Sequence, residues 1–157
     1  MEPFAIAFRG ITHSADRKVM PMTDKWGRRS FRTGAVWLFL LGAAHSLSLF
    51  EKPVAANDTE RQLIALTTDY KFNLMGSMRS FDTLFRGFSI SFVLGMFVVG
   101  LLCLALSSER VQLLKRIAGI NALWLVAMTA VSLHFFPAPT AFLVVALLLF
   151  MGSWLSL

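Results

Sequence analysis

Apolar and polar positions along this chain fall into long blocks rather than alternating. The longest apolar block, Gly87–Leu106, runs twenty residues without a charge. That matches the ~20 residues a helix needs to cross a hydrocarbon core ~30 Å thick. A polar turn, Ser80–Arg86, precedes it and carries Asp82 and Arg86. Three further blocks have similar length. Thr33–Phe50 has His45 as its one ionisable group, Ile117–Phe136 holds Asn121 and His134, and Thr140–Leu157 has no charge. Pro137-Ala138-Pro139 separates the last two, because proline lacks the helical donor and clashes with the preceding turn. The pattern predicts an all-α fold, a four-helix transmembrane bundle.

The polar stretches set the boundaries. Residues 1–32 show no helical apolar stripe and predict a basic, mobile tail, leaving 33–157 as the membrane domain. Met20 and Met22 are alternative starts to Met1, and no A-x-A site follows the first apolar run as a cleaved signal would require. Residues 51–79 form one long loop. Within it Asp58 predicts a cap for a short helix over Thr59–Leu66, and Tyr70–Met78 a re-entering connection that packs against the bundle. Ser80 is placed to cap the second long helix, with Asp82 in its first turn and Arg86 one turn later as a pairing partner. Ser107-Ser108-Glu109-Arg110 predicts a tight turn whose serines cap the third.

Small residues mark expected helix contacts. Gly42 and Ser46 are four apart in the first span, and Gly87, Ser91 and Gly95 repeat every four in the second. Such spacing lets helix backbones approach closely in lipid, so both sets predict contact faces.

Composition agrees with lipid as the solvent. The chain has 157 residues, 56% hydrophobic, a mean hydropathy of +0.65 and 15% charged residues, against about 25% charged in soluble domains. The net charge of +6 raises nucleic acid as a partner until the charges are located. Arg9, Arg17, Lys18, Lys25, Arg28, Arg29 and Arg32 precede the first span, and Arg110, Lys115 and Arg116 flank the third. They form a basic flank beside a membrane, and no DNA or RNA motif accompanies them. These ten stand against five in the long loop and the turn after it, Lys52, Arg61, Lys71, Arg79 and Arg86, which Glu51, Asp58, Glu60, Asp69 and Asp82 balance. The positive-inside rule then puts both termini in the cytoplasm and the long loop outside. Trp37 and Trp154 are expected at the inner headgroup level. The one cysteine, Cys103, excludes an internal disulfide and a CxxC redox pair.

Under that topology His45, His134, Arg79, Asp82 and Arg86 come to one level near the outer end. Ionisable groups inside a membrane usually face a bundle interior, which makes this cluster a candidate ligand site. The competing reading is anchoring, with arginines snorkelling to phosphate and histidines bonded to backbone. Two histidines on separate helices are also the minimum for haem, though a second pair is missing. For zinc only His45, His134 and Asp82 are candidates, too few for a closed site. No metal or cofactor is therefore expected. GxSxG, HExxH, P-loop and GxGxxG motifs are absent, and the spans contain no carboxylate to couple transport to protons. The residues predict a non-enzymatic membrane protein. Its expected partners are the bilayer, a lipid or quinone-like ligand at the outer face, and a second copy or another membrane protein. The alternative is an oxidoreductase or electron-transfer subunit using His45 and His134 with haem or quinone.

Gly42-Ala43-Ala44-His45 in the first helix, Met75-Gly76 and Arg79-Ser80 before the second, and Arg86-Gly87-Phe88-Ser89 at its start resemble a family of small bacterial four-helix membrane proteins. The resemblance covers about residues 34–155 and leaves out the basic tail. It implies a four-helix bundle in a bacterial cytoplasmic (inner) membrane and implies no substrate.

Overall fold

The computed structural model describes residues 22–136 and 139–157. The tail before Met22, with Met20, and the Pro137-Ala138 pair lie outside the described residues. The fold is all-α. In order come α1 (Met22–Ser48), α2 (Asp58–Asp69), a hairpin of β1 (Phe72–Leu74) and β2 (Ser77–Arg79), then α3 (Phe81–Leu106), α4 (Val111–Phe135) and α5 (Thr140–Ser156).

The first helix begins far earlier than its apolar block. Residues 22–32, expected in an irregular tail, are helical. The buried face of α1 is Gly27, Phe31, Gly34, Ala35, Leu38, Leu41 and Gly42, a seam at helical spacing that starts inside the basic stretch. Its first third is marked by glycine and one phenylalanine, so hydrophobicity alone does not reveal it. Lys25, Arg28, Arg29 and Arg32 ride beside that seam rather than on a coil. The earlier start also corrects the position of Trp37. It lies in mid-helix, where its indole Nε1 donates to the Phe142 carbonyl at 2.9 Å and its ring stacks on Phe142.

Helix α1 is the centre of the arrangement. It packs along α3 on one side and α5 on the other, and α4 packs along α5. Glycine makes both α1 contacts close. A Cβ at Gly34 would stand 3.0 Å from the Phe150 ring, and one at Gly42 would stand 3.0 Å from Phe97. Phe31 and Phe150, both 0% exposed, meet edge-to-face at 5.6 Å. On α3 the facing residues are Val93, Met96, Gly100 and Cys103. At Gly100 a Cβ would come within 2.8 Å of Phe39 and 3.1 Å of the Ala35 carbonyl oxygen.

The expected Gly87/Ser91/Gly95 contact stripe does not meet a described helix of this chain. All three are exposed, and a Cβ at Gly87 or Gly95 meets nothing within 4 Å. The stripe lies off the Met96/Gly100 face, and among the described residues no helix covers it. Ser91 bonds instead to the Gly87 carbonyl of its own helix. Gly42 keeps its role in close packing, whereas Ser46 turns back to the Ala43 carbonyl at 2.7 Å.

Both ends of the helix set have defined ties. At one end the start of α1 grips the α3–α4 turn. Arg28 Nη1 donates to the Ser107 carbonyl at 3.2 Å, and Arg32 donates to the Ser107 and Ser108 hydroxyls. The serines are thus occupied by α1, and Arg110 stands at the start of α4 with no side-chain cap, contrary to the expected role of the turn. Leu157 reaches Gly27 at this same end. At the other end Ser132 on α4 bonds to the Phe136 carbonyl and to Thr140 on α5, closing that corner.

The long connection is more ordered than expected. Asn57, not Asp58, caps α2, accepting from Glu60 N at 2.9 Å, while Glu60 accepts from Ala56 N at 2.7 Å. This reciprocal arrangement satisfies the orphan donors of a helix start. Asp58 pairs with Arg61 instead. The connection after Tyr70 takes the form of a hairpin, in which Phe72 pairs with Arg79 and Leu74 with Ser77 across a two-residue turn. Met75 and Gly76 both take positive φ, 50° and 86°, as a twisted two-residue hairpin turn requires. Ser80 caps α3 by accepting from Thr83 N, as its sequence position predicts.

A packing test separates the two glycine faces of α3. Gly100→Ala should lower stability in detergent by about 1–3 kcal/mol, the usual scale for overpacking. Gly95→Ala should stay within about 0.5 kcal/mol of wild type, as exposed substitutions do. Thermal unfolding of the two variants reads the difference, and equal losses would put a helix over Gly95.

Candidate functional site

Helices α3 and α4 follow one another through a four-residue turn, which ordinarily makes antiparallel neighbours. Here they barely touch along their length. Near the turn they meet where Asn121 Nδ2 lies 3.5 Å from Cys103 Sγ, and Asn121 also donates to the Ile117 carbonyl at 2.9 Å. Toward the hairpin end a cleft separates them, lined also by His45 of α1 and Leu143 of α5.

The cleft has a volume of about 640 Å³, within the ~300–1,000 Å³ range of small-molecule sites. Phe85, Phe88 and Phe92 project from α3 at helical spacing, and Phe135 and Phe136 stand at the end of α4. His45 of α1 forms part of the back wall, with Leu143 of α5 and Met128 of α4 nearby. Phe88 is 72% exposed and Phe135 65%, so the cleft opens sideways between α3 and α4.

The polar groups of this cleft differ in what they already bond. The Ser48 hydroxyl donates to the His45 carbonyl at 2.7 Å, and Ser132 is held in the α4–α5 corner. The His45 ring packs edge-on against Phe92, with centroids 4.9 Å apart. Among the described residues neither the His45 imidazole nor the Ser89 hydroxyl has a hydrogen-bond partner. A lone imidazole and a lone hydroxyl in an aromatic cleft can meet a polar head group, while the phenylalanines bury its tail.

Only one of the five expected cluster residues lines the cleft. Arg86 Nε pairs with Asp82 at 2.9 Å, and both side chains remain substantially exposed. Arg79 ends the hairpin and is exposed. His134 is exposed on another face of α4 and packs edge-on against Phe135 at 4.5 Å. Val131, Ser132 and Phe135 of α4 line the cleft and His134 does not, so the structure brings His45 alone of the expected five to it. Among the described residues, His, Cys, Asp and Glu form no group of three placed to hold a metal ion. Sequence reasoning missed the phenylalanines. Their spacing at 85, 88 and 92 carried the signal, but only an unpaired α3–α4 face makes it a wall.

No protein-family model matches this chain, and neither a curated protein nor a solved structure matches it.

An exposed helical ion pair contributes about 0.3–0.5 kcal/mol. Since Arg86 lies outside the cleft, Arg86→Lys should leave both the unfolding midpoint and the occupancy of any molecule held in the cleft at wild-type level. A variant that folds normally but empties the cleft would return Arg86 to the site.

Proposed function

We propose that this chain is a multi-pass protein of a bacterial cytoplasmic membrane whose side-opening cleft binds a lipid-class ligand without turning it over. The carrying observation is the aromatic cleft between α3 and α4, open to the surroundings along the helices. Helices α3 and α4 are long and apolar enough to cross a membrane, with hydropathies of 2.5 and 1.6, and α5 is apolar but shorter at 17 residues. At 1.5 Å per residue, α3 spans about 39 Å and α5 about 26 Å. The most apolar stretch of α3 is only 22% buried and that of α4 28%, unlike the core helix of a soluble protein. Exposed Phe88, Leu94, Val98 and Leu101 on α3, and Leu123 and Val126 on α4, call for an apolar solvent. Four spans in lipid answer that demand, with α1 and α5 completing the bundle.

The charge distribution supports the orientation. Lys25, Arg28, Arg29, Arg32, Arg110, Lys115 and Arg116 share the end that carries the α3–α4 turn and Leu157, against Asp24 and Glu109. At the hairpin end five basic residues meet five acidic ones. The basic end then faces the cytoplasm, and the cleft lies in the outer half of the membrane. Trp26, 62% exposed, and Trp154, 43% exposed, suit the inner headgroup layer. The bundle and this location are what the resemblance to small bacterial four-helix membrane proteins implies. The exposed Gly87/Ser91/Gly95 line is left for a second copy or another membrane protein. Haem held by both histidines is not favoured, because His134 lies outside the cleft.

Two measurements test this function. A reporter active only in the cytoplasm should work when fused after Leu157 and fail when inserted at Asn57; the reverse pattern would invert the topology. Val131, 47% exposed, lines the cleft, so Val131→Trp should fill it. Native mass spectrometry should find a lipid-soluble molecule on the wild-type protein and at least tenfold less on Val131→Trp, about 1.4 kcal/mol or more. Equal occupancy in the two would remove the cleft as its site.

A further inference from the structure

The geometry points to a narrower ligand class for this cleft: a neutral lipid with a flat, carbonyl-bearing ring and a single apolar chain, the chemistry of an isoprenoid quinone. This inference rests on the proposed lipid-binding function and specifies which lipid.

Charge is the first discriminator. Among the described residues the cleft wall contains no Lys, Arg, Asp or Glu. The nearest basic residue by sequence on the α3 wall, Arg86, already pairs with Asp82 at 2.9 Å. A phosphate or carboxylate head buried there would lack a counter-ion, and an unpaired charge in an apolar setting is strongly disfavoured. A neutral head group meets no such penalty.

Shape is the second. Phe85, Phe88 and Phe92 form one wall and Phe135 and Phe136 the opposite rim, so a flat ring entering between α3 and α4 meets aromatic faces and edges from both sides. Offset and edge-to-face aromatic contacts are favourable beyond the area they bury. A simple acyl chain gains burial from these walls but not that geometry.

The third discriminator is the pair of unpartnered polar groups. The His45 imidazole, in its neutral form, has one N–H donor, and Ser89 has an O–H donor. They come from different helices, α1 and α3, and line the same cleft. Two separate donors in an otherwise apolar site suit a head group with two separate carbonyl acceptors. Ser91, two residues along on the exposed stripe, donates to the Gly87 carbonyl, whereas Ser89 makes no such bond to its own helix. The contrast leaves Ser89 free to act on a ligand. The inference concerns binding and assigns no electron transfer.

The test uses the purified full chain in detergent. A ubiquinone analogue with a decyl tail is titrated alone and against phosphatidylglycerol, with wild type, His45→Phe, His45→Gln and Val131→Trp. Melting temperatures establish that each variant is folded. The inference expects saturable quinone binding, abolished by Val131→Trp and weakened about tenfold by His45→Phe, the upper range for one neutral hydrogen bond. His45→Gln, which retains a donor, should recover part of that loss, and phosphatidylglycerol should not compete. If phosphatidylglycerol binds and is lost in Val131→Trp while quinone binding ignores His45→Phe, the quinone class is wrong and the lipid cleft stands. If neither molecule responds to Val131→Trp, the cleft reading itself fails. If His45→Phe and His45→Gln lose quinone equally, the imidazole acts by shape alone and the donor argument is overturned.

Discussion

The close approach of α1 to both α3 and α5 is the constraint on which the other features depend. Gly34 admits the Phe150 ring, Gly42 admits Phe97, and Gly100 admits Phe39, each within about 3 Å of where a Cβ would stand. In lipid, apolar burial supplies little attraction between helices, so dispersion at such contacts is the main adhesive. One helix with small residues along its seam can therefore hold two neighbours. That central helix and α5 also contribute to the cleft between α3 and α4, through His45 and Leu143.

The two ends of the structure then differ in character. At the basic end, Arg28 and Arg32 fasten α1 to the α3–α4 turn, and Asn121 joins α4 to Cys103. At the hairpin end the Ser132–Thr140 corner fixes α4 to α5, but among the described residues no tie draws α3 across to α4. A closed end and an open end on the same helix pair produce a wedge. Its mouth is lined by aromatic side chains that water would not favour and a bilayer tolerates.

Much of the fold was legible in the sequence, and the reasons for the rest are physical. Long uncharged blocks gave the helices; Ser80 and the Asp82–Arg86 pair gave the start of α3 correctly. The helical character of residues 22–32 was hidden because glycine, not a large apolar residue, marks much of its buried seam. The hairpin was hidden because Met75 occupies a positive-φ position where Asn, Asp or Gly would have signalled a turn. Gly87, Ser91 and Gly95 have the right spacing for a contact, yet spacing does not say which face of a helix meets a neighbour. The same ambiguity applies to the candidate site. Depth along the spans brought His45 and His134 to one level, but rotation about α4 decides that Val131 and Phe135 enter the cleft and His134 does not. His45 was recoverable from sequence; its phenylalanine surroundings depend on which helices fail to pair.

The central claim is that the α3–α4 cleft selects one kind of molecule from its surroundings. A photoreactive benzoyl-phenylalanine placed at Phe88, on the cleft wall, or at Val98, exposed elsewhere on α3, would report this directly in native membranes. After illumination, mass spectrometry of the adducts should show one dominant neutral species at position 88 and the general phospholipid mixture at position 98. The same phospholipid mixture at both positions would contradict the account.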